Sequence, residues 1–168
     1  MWIRDSEAAH RIVAFTGAGI STESGIPDFR SKDGMWTKYA PIDFFDFMRS
    51  EDVRAEAWRR KAGTRGTLQQ ASPNAGHLAL VELHRLGKLS SVITQNIDGL
   101  HGDAGSERVA EIHGNFSLLR CLGCVTRFPP DAVAVDPADL PPRCPDCGGM
   151  LKGDTVQFGE PIPQDVLR

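Results

Sequence analysis

Four cysteines fall in two pairs, Cys121-Leu122-Gly123-Cys124 and Cys144-Pro145-Asp146-Cys147. A two-residue gap lets both thiolates of a pair turn toward one ion, and two such knuckles complete a tetrahedral site. The spacing therefore predicts a zinc ribbon with Cys121, Cys124, Cys144 and Cys147 as ligands. Four protein ligands leave no open coordination position, so the expected role of the metal is structural, holding a module too small to build its own core. The alternative is a pair of disulfides. Against it stands the opening Met1-Trp2-Ile3-Arg4-Asp5-Ser6, which lacks the basic and apolar regions of a secretory leader, and which predicts a cytoplasmic protein with reduced thiols.

Three further groups carry chemistry. Gly17-Ala18-Gly19-Ile20-Ser21-Thr22 offers backbone N–H groups that missing side chains would let approach a pyrophosphate; alone, it is equally a tight turn. Thr22 stands where a dinucleotide fingerprint has its third glycine, and Pro27 cuts short the helix that should follow, which disfavours an ordinary dehydrogenase. In Thr94-Gln95-Asn96-Ile97-Asp98-Gly99 two side-chain amides and a carboxylate could grip a carboxamide and ribose hydroxyls, or simply close an Asx turn. In Glu111-Ile112-His113-Gly114-Asn115 the side-chain type of His113 suits a general base, although a lone histidine is more often a packed or surface residue. His77 and His84 fall on an apolar helix and read as local hydrogen-bonding groups; His10 and His101 carry no separate argument.

Each of these groups lies where a predicted element ends. Ile12 to Phe15 reads as a buried parallel strand running into the glycine turn, Leu89 to Thr94 as a second strand and Val109 to Ile112 as a third. A long polar loop spans 27–41, with Trp36 and Tyr39 embedded, and long loops in compact domains are commonly functional. Helical cover follows over 42–66, from Ile42 to Met48 and from about Asp52 to Lys61, with its charges toward solvent. Ser72 as N-cap and Pro73 at the first helical position predict a largely buried helix that Gly87 stops. Strands alternating with helices define an α/β, Rossmann-like parallel sheet, with a cysteine module inserted at 119–152 and a return to the first domain over 153–168, the first domain beginning as 1–118.

Composition removes several function classes. Forty per cent hydrophobic content in 168 residues supports one core plus a small stapled module. Nineteen basic and 22 acidic residues are mixed along the chain, giving a net charge of −3, so no nucleic-acid footprint and no polybasic membrane patch is present. Nor does any stretch of about 18 apolar residues exist that could cross a membrane.

Taken in order, Gly17 to Arg30 (GAGISTESGIPDFR), Gln95-Asn96-Ile97-Asp98-Gly99-Leu100-His101, His113-Gly114 and the two cysteine pairs resemble the sirtuin family, and the likeness spans nearly the whole chain. The resemblance implies NAD and zinc as cofactors and acyl-lysine proteins as substrates. It places Gly17, Ala18, Gly19 and Thr22 against the NAD phosphates and Phe29 and Arg30 on the loop over the nicotinamide ribose, with Ile20, Ser21 and Asp28 as further cofactor contacts, and Gln95, Asn96, Ile97 and Asp98 in the nicotinamide and ribose pocket, Asn96 and Asp98 counting with His113 as catalytic. Asp98 would accept from the carboxamide, and His113 would be the base. In the implied reaction the acyl oxygen attacks the ribose carbon bearing nicotinamide, and His113 then deprotonates a ribose hydroxyl, giving free lysine and O-acyl-ADP-ribose. Transfer of ADP-ribose to protein, NAD hydrolysis, or a non-catalytic NAD- and zinc-binding module are the alternatives.

Val156-Gln157-Phe158-Gly159-Glu160 resembles the segment that pairs with the substrate peptide, so Val156, Phe158 and Gly159 are expected peptide contacts. Lys152-Gly153, where the family often has Arg-Pro, predicts a looser hinge before it. The tyrosine and arginine, three apart, of succinyl-removing relatives are absent around Trp36 to Ile42, which implies acetyl or another uncharged acyl group. Relatives also add strands beyond the position of Arg168, so the sheet should be incomplete, with an apolar edge that more of the same chain or a second chain would cover.

Overall fold

The structure, a computed structural model, describes residues 9, 11–32, 34, 37, 39–164 and 166. The readings made above of Met1 to Ser6, His10, Trp36 and Arg168 lie outside these residues. Two small sheets organise the rest. Strand β1 (Ile12–Thr16) pairs in parallel with β2 (Leu89–Thr94), and β2 in parallel with β3 (Val109–Glu111). Central β2 buries Leu89, Val92 and Thr94, while Ser90, Ser91 and Ile93 are half-buried. Register places Thr16 beside Thr94 and Thr94 beside Glu111. The three strands thus end together, and the turns after them collect along one side, where open parallel sheets place ligands. Main-chain bonds from Gln95 N–H to the Thr16 carbonyl and from Ile112 N–H to the Thr94 carbonyl, both 3.0 Å, hold those turns side by side. Val13 and Phe15, on one face of β1, are 54% and 62% exposed, and β1 has no strand on its outer side among the described residues.

Helices α1 (Phe44–Arg49) and α2 (Glu51–Gln70) form the cover. Asp43 caps α1 by accepting from Phe45 N–H at 2.8 Å, and Ser50 caps α2 by accepting from Val53 N–H at 3.3 Å. Helix α2 runs well past the expected end near Lys61, through Gly63 and Gly66, whose intrinsic cost is about 1 kcal/mol each relative to alanine. Side-chain anchorage offsets that cost: Trp58 is buried and donates to the Leu151 carbonyl at 3.3 Å, and Lys61 donates to the Phe116 carbonyl at 2.6 Å. Lys61 also corrects the expectation that the charges of this helix face solvent, since it turns inward over the Phe116 ring.

Helix α3 (Ala75–Arg85) starts later than Ser72 and Pro73 suggest. Its N-cap is Asn74, whose Oδ1 accepts from Gly76 N–H at 2.9 Å while His77 Nδ1 accepts from the Asn74 N–H at 3.3 Å. Tertiary bonds select this cap, because Asn74 Nδ2 also donates to the Ile20 carbonyl at 2.7 Å and to Ser24 Oγ at 2.9 Å. The helix is less buried than its leucines imply. His77 and Val81, four apart, form the buried stripe, whereas Leu78 and Leu86 are exposed. A short helix, α4 (Leu100–Asp103), follows Gly99, which takes a φ of 79°.

The second sheet is antiparallel, with β4 (Gly114–Cys121) between β5 (Arg127–Phe128) and β6 (Leu151–Thr155). Its core joins Leu119, Phe128, Val133 and Leu151 to Trp58 and the cysteines. Lys152 and Gly153 do not form a loose hinge. They sit inside β6, paired with Arg120 and Leu119, and Lys152 is buried. At Gly114, φ is 77° and a β-carbon would collide with the Asp154 carbonyl, so this close strand crossing admits only glycine. No described helix is long and apolar enough to cross a membrane.

Candidate functional site

At the carboxyl ends of the parallel strands the chain after β1 passes through Gly17 into a 3-10 turn, Ala18–Ser24. Ser21 in that turn is fully buried, donates from Oγ to Asp98 Oδ2 at 2.7 Å and accepts from Asn96 Nδ2 at 3.0 Å. Asp98 Oδ1 accepts from Leu100 N–H at 3.0 Å. One serine thus fixes both the amide and the carboxylate that follow β2. A carboxylate holding one donor on each oxygen keeps further lone pairs for a ligand N–H or O–H.

Below this cluster Thr16 Oγ donates to Thr94 Oγ at 2.8 Å and lies 2.8 Å from His101 Nε2, and the His101 ring meets His77 edge-on at 4.8 Å. Burial lowers the pKa of both imidazoles, so both are neutral at pH 7. His77 Nε2 and His101 Nδ1 find no hydrogen-bond partner. Sequence reasoning gave His77 a local bond only and His101 nothing. Both pack beneath the strand ends, and for His77 the available signal was a polar residue on an otherwise apolar helical stripe.

A cavity of about 320 Å³ opens above the cluster. Of the residues singled out in the sequence, Ala18, Ser21, Phe29, Gln95, Asn96, Ile97 and Asp98 line it. Gly17, Gly19, Ile20, Thr22, Asp28, Arg30 and His113 do not, although a β-carbon at Gly17 would stand 3.9 Å from Gln95 Nε2. Thr22 Oγ donates to the Gly19 carbonyl, closing the turn. Asp28 accepts from Ser31 N–H at 2.8 Å, which lowers its carboxyl pKa, and the loop folds tightly enough that a β-carbon on Gly34 would lie 2.7 Å from the Phe29 backbone.

His113 joins the group through main chain, its Nδ1 standing 3.1 Å from the Gln95 carbonyl. A carbonyl can only accept, so Nδ1 carries the proton and Nε2 presents a lone pair, with no protein partner for Nε2 among the described residues. Beside His113, the Glu111 carboxylate accepts both bonds from Asn115 Nδ2 at 2.9 and 3.0 Å, and burial raises its pKa.

A second cavity shares Phe29, Tyr39, Thr64, Ile97 and Phe116 with the first and continues to Gln157 and Phe158. Val156 N–H donates to the His113 carbonyl at 2.8 Å, and Gly159 adopts a φ of 79° where a β-carbon would press Asp43 and Phe45. Lys61 lines this cavity too. Burial, the dominant cause, with Arg65 and Lys152 nearby, pulls its pKa from 10.5 down to about 8. Between those pH values the unfolded chain holds a proton that the folded chain has released, so stability should rise as pH climbs from 8 to 10.5, and the penalty is fully present below 8. Relative to Lys61→Met, the unmodified protein is expected to gain roughly 2–3 kcal/mol over that window in urea unfolding, a figure that residual solvent contact reduces. A pH difference that Lys61→Met leaves in place would exclude this lysine as its source.

The four cysteine sulfurs lie within 4.8 Å of one another. Cys121 and Cys147 are 3.5 Å apart and Cys124 and Cys144 3.7 Å, far beyond a disulfide bond of about 2.05 Å, and all four thiols are free. Tetrahedral zinc with sulfurs about 2.3 Å away sets them about 3.8 Å apart, so the cluster fits that ion. Gly123 and Cys124 N–H groups point at Cys121 Sγ from 3.3 and 3.4 Å, a knuckle that stabilises thiolate charge.

A parallel sheet with Ser21 and Asn96 buried and Asp98 half-buried at its strand ends, joined to a module whose four thiols could hold a metal ion, defines an α/β protein of a recognisable class. Residues 17–168 match the model of the Sir2 family, and the chain belongs to that family. It is 46% identical over 164 residues to an NAD-dependent protein deacetylase of Rhodopseudomonas palustris, covering 95% of this chain and 65% of the relative. An NAD-dependent protein deacylase of Aeropyrum pernix is 46% identical over 160 residues, covering 92% and 62%. The chain thus spans less than two thirds of the length of these relatives. A Sir2 homologue solved as a complex with ADP-ribose superposes with a TM-score of 0.87 at 38% identity, over 99% of this chain and 66% of that one. One solved with a p53 peptide and NAD gives 0.82 at 35% identity, over 99% and 67%.

Proposed function

We propose that this protein removes acetyl or similar uncharged acyl groups from protein lysines with NAD, yielding nicotinamide and O-acyl-ADP-ribose. The observation that carries the proposal is a pair of adjacent cavities with Phe29, Ile97 and Phe116 as shared wall: one holds Ala18, Ser21, Asn96 and Asp98, and the other reaches Phe158. A cofactor and an extended peptide would therefore lie against the same three side chains. Bound NAD would supply an electrophilic ribose carbon with nicotinamide as leaving group. Gly17, Ala18, Gly19 and Thr22 would face its phosphates, with Phe29 and Arg30 above the ribose. Asn96 and Asp98, preset by Ser21, would orient the carboxamide. His113, with Nε2 as acceptor, would take the proton from a ribose hydroxyl. Val156, Phe158 and Gly159 would meet the peptide, and zinc on Cys121, Cys124, Cys144 and Cys147 would hold 119–152 as a module beside the cofactor domain.

The free thiols support a cytoplasmic setting, and exposed Val13 and Phe15 support cover of that face of β1 by further polypeptide. Lys61 already spends its ammonium on the Phe116 carbonyl and ring, which supports an uncharged acyl group. The test is incubation with NAD and matched acetyl- and succinyl-lysine peptides, followed by mass spectrometry. Acetyl peptide should be converted at least tenfold faster, with O-acetyl-ADP-ribose as co-product. Labelled protein or free ADP-ribose alone would point to ADP-ribosyl transfer or NAD hydrolysis instead, and faster loss of succinyl would refute the acyl assignment.

A further inference from the structure

Segment 156–160, proposed above to meet the peptide, has little regular structure and is held at a few points. Two of them are neutral main-chain bonds: Val156 N–H to the His113 carbonyl and Phe44 N–H to the Phe158 carbonyl, each 2.8 Å. The third is built from charge. The Glu160 side chain is 5% exposed; its Oε1 accepts from Arg120 Nη2 at 2.5 Å, and its Oε2 accepts from Lys152 Nζ at 2.9 Å and from Gln157 N–H at 3.0 Å. Lys152, at 2% exposed, donates as well to the Thr155 carbonyl at 2.6 Å. Arg120 and Lys152 are register partners on β4 and β6, and Arg120 directly precedes Cys121. Arg120 Nε lies 3.4 Å from Asp154 without hydrogen-bond alignment, and Asp154 in turn accepts from Arg127 at 2.6 Å. One carboxylate therefore ties the backbone of Gln157 to the sheet that carries Cys121.

Stability alone gives little reason for such a cluster. Apolar residues of the same volume commonly stabilise as much as a buried ion pair or more. What an apolar pair lacks is direction: it could fill the space but could not aim the Gln157 amide or hold Phe158 at the cavity wall, where both residues stand.

We propose that Glu160 is a positioning residue for the acyl-lysine peptide, its buried carboxylate fixing Gln157 and Phe158 against the cysteine-bearing sheet through Arg120 and Lys152. This rests on the deacylase reading above. The test compares peptide and NAD affinities by calorimetry for the unmodified protein, Glu160→Gln, and a Glu160→Gln/Lys152→Met pair that removes one charge of each sign and leaves Arg120 facing Asp154 and the new amide oxygen. Asp46→Asn, an exposed helical ion pair, is the control. Both Glu160 variants are expected to bind acetyl-lysine peptide about tenfold more weakly, to bind NAD within twofold of the unmodified protein, and to exchange the Gln157 amide hydrogen at least tenfold faster. Peptide affinity within twofold in the folded double variant would overturn the proposal, as would a parallel loss of NAD affinity, which is the mark of general unfolding. Unmodified protein that binds NAD but no acetyl-lysine peptide would overturn the deacylase reading itself, and the role of Glu160 with it.

Discussion

Chelation of the metal, or Cys144→Ser, is expected to lower the melting temperature by more than about 10 °C and to unfold the β4–β5–β6 sheet before the parallel one. The module buries Leu119, Phe128, Val133 and Leu151 beside Trp58, a core too small to stand without a staple. Structural zinc contributes about 10–16 kcal/mol of apparent binding free energy in isolated zinc-finger peptides. Even a loss of ~4 kcal/mol would move the midpoint by about 8–16 °C in a chain of this size. Serine keeps the volume of Cys144 and removes the thiolate, and its hydroxyl would be left buried at a site 3% exposed. Trp58 offers a local reporter: its indole donates to the Leu151 carbonyl, so its emission should shift red as the module opens. Metal analysis should find one zinc per chain in the unmodified protein. A Cys144→Ser protein that melts within about 2 °C of the unmodified one, or a purified protein free of metal yet equally stable, would refute the structural role.

The cysteine cluster could be anticipated from sequence because its geometry is local: a two-residue gap allows each pair few ways to fold around one ion. The three parallel strands were equally accessible, since Ile12 to Phe15 is a short apolar run and Leu89 to Thr94 and Val109 to Ile112 are short segments with β-branched residues, each leading into turn residues. Interactions between distant residues were not. Ser21 and Asp98 are 77 positions apart, and nothing in either segment announces that one hydroxyl will set the other's carboxylate. The start of α3 moved to Asn74 for the same reason, as its amide reaches back to the Ile20 carbonyl and Ser24. Helix α2 outran its expected end because Gly63 and Gly66 lower helix propensity by local physics, while Trp58 and Lys61 restore it through contacts that span the fold. Lys152-Gly153 read as a weak point on propensity, yet buried charge pairing turns it into part of a strand. In each case local rules named the residue type correctly and tertiary bonds decided its use.

Replacing His113 with alanine is expected to leave NAD affinity within about twofold and to cut turnover of acetyl-lysine peptide by about 10²–10⁴-fold, the range associated with loss of a general base. The geometry gives this a sharper form. Because Nδ1 stands 3.1 Å from the Gln95 carbonyl, the proton sits there and Nε2 is left as the acceptor. His113→Asn would retain an N–H that can donate to Gln95 but would offer no basic nitrogen. If His113 matters only by bracing the Gln95 loop, asparagine should restore most of the turnover that alanine loses. If it takes a proton, asparagine should be as slow as alanine. The second outcome is expected, because Gln95 is independently held by its N–H bond to the Thr16 carbonyl and the backbone of His113 by Val156. The measurement is single-turnover conversion by mass spectrometry under conditions where the unmodified protein is active, with NAD affinity measured alongside. Alanine turnover within tenfold of the unmodified protein would remove His113 from the chemistry, and rescue by asparagine would reduce it to a brace.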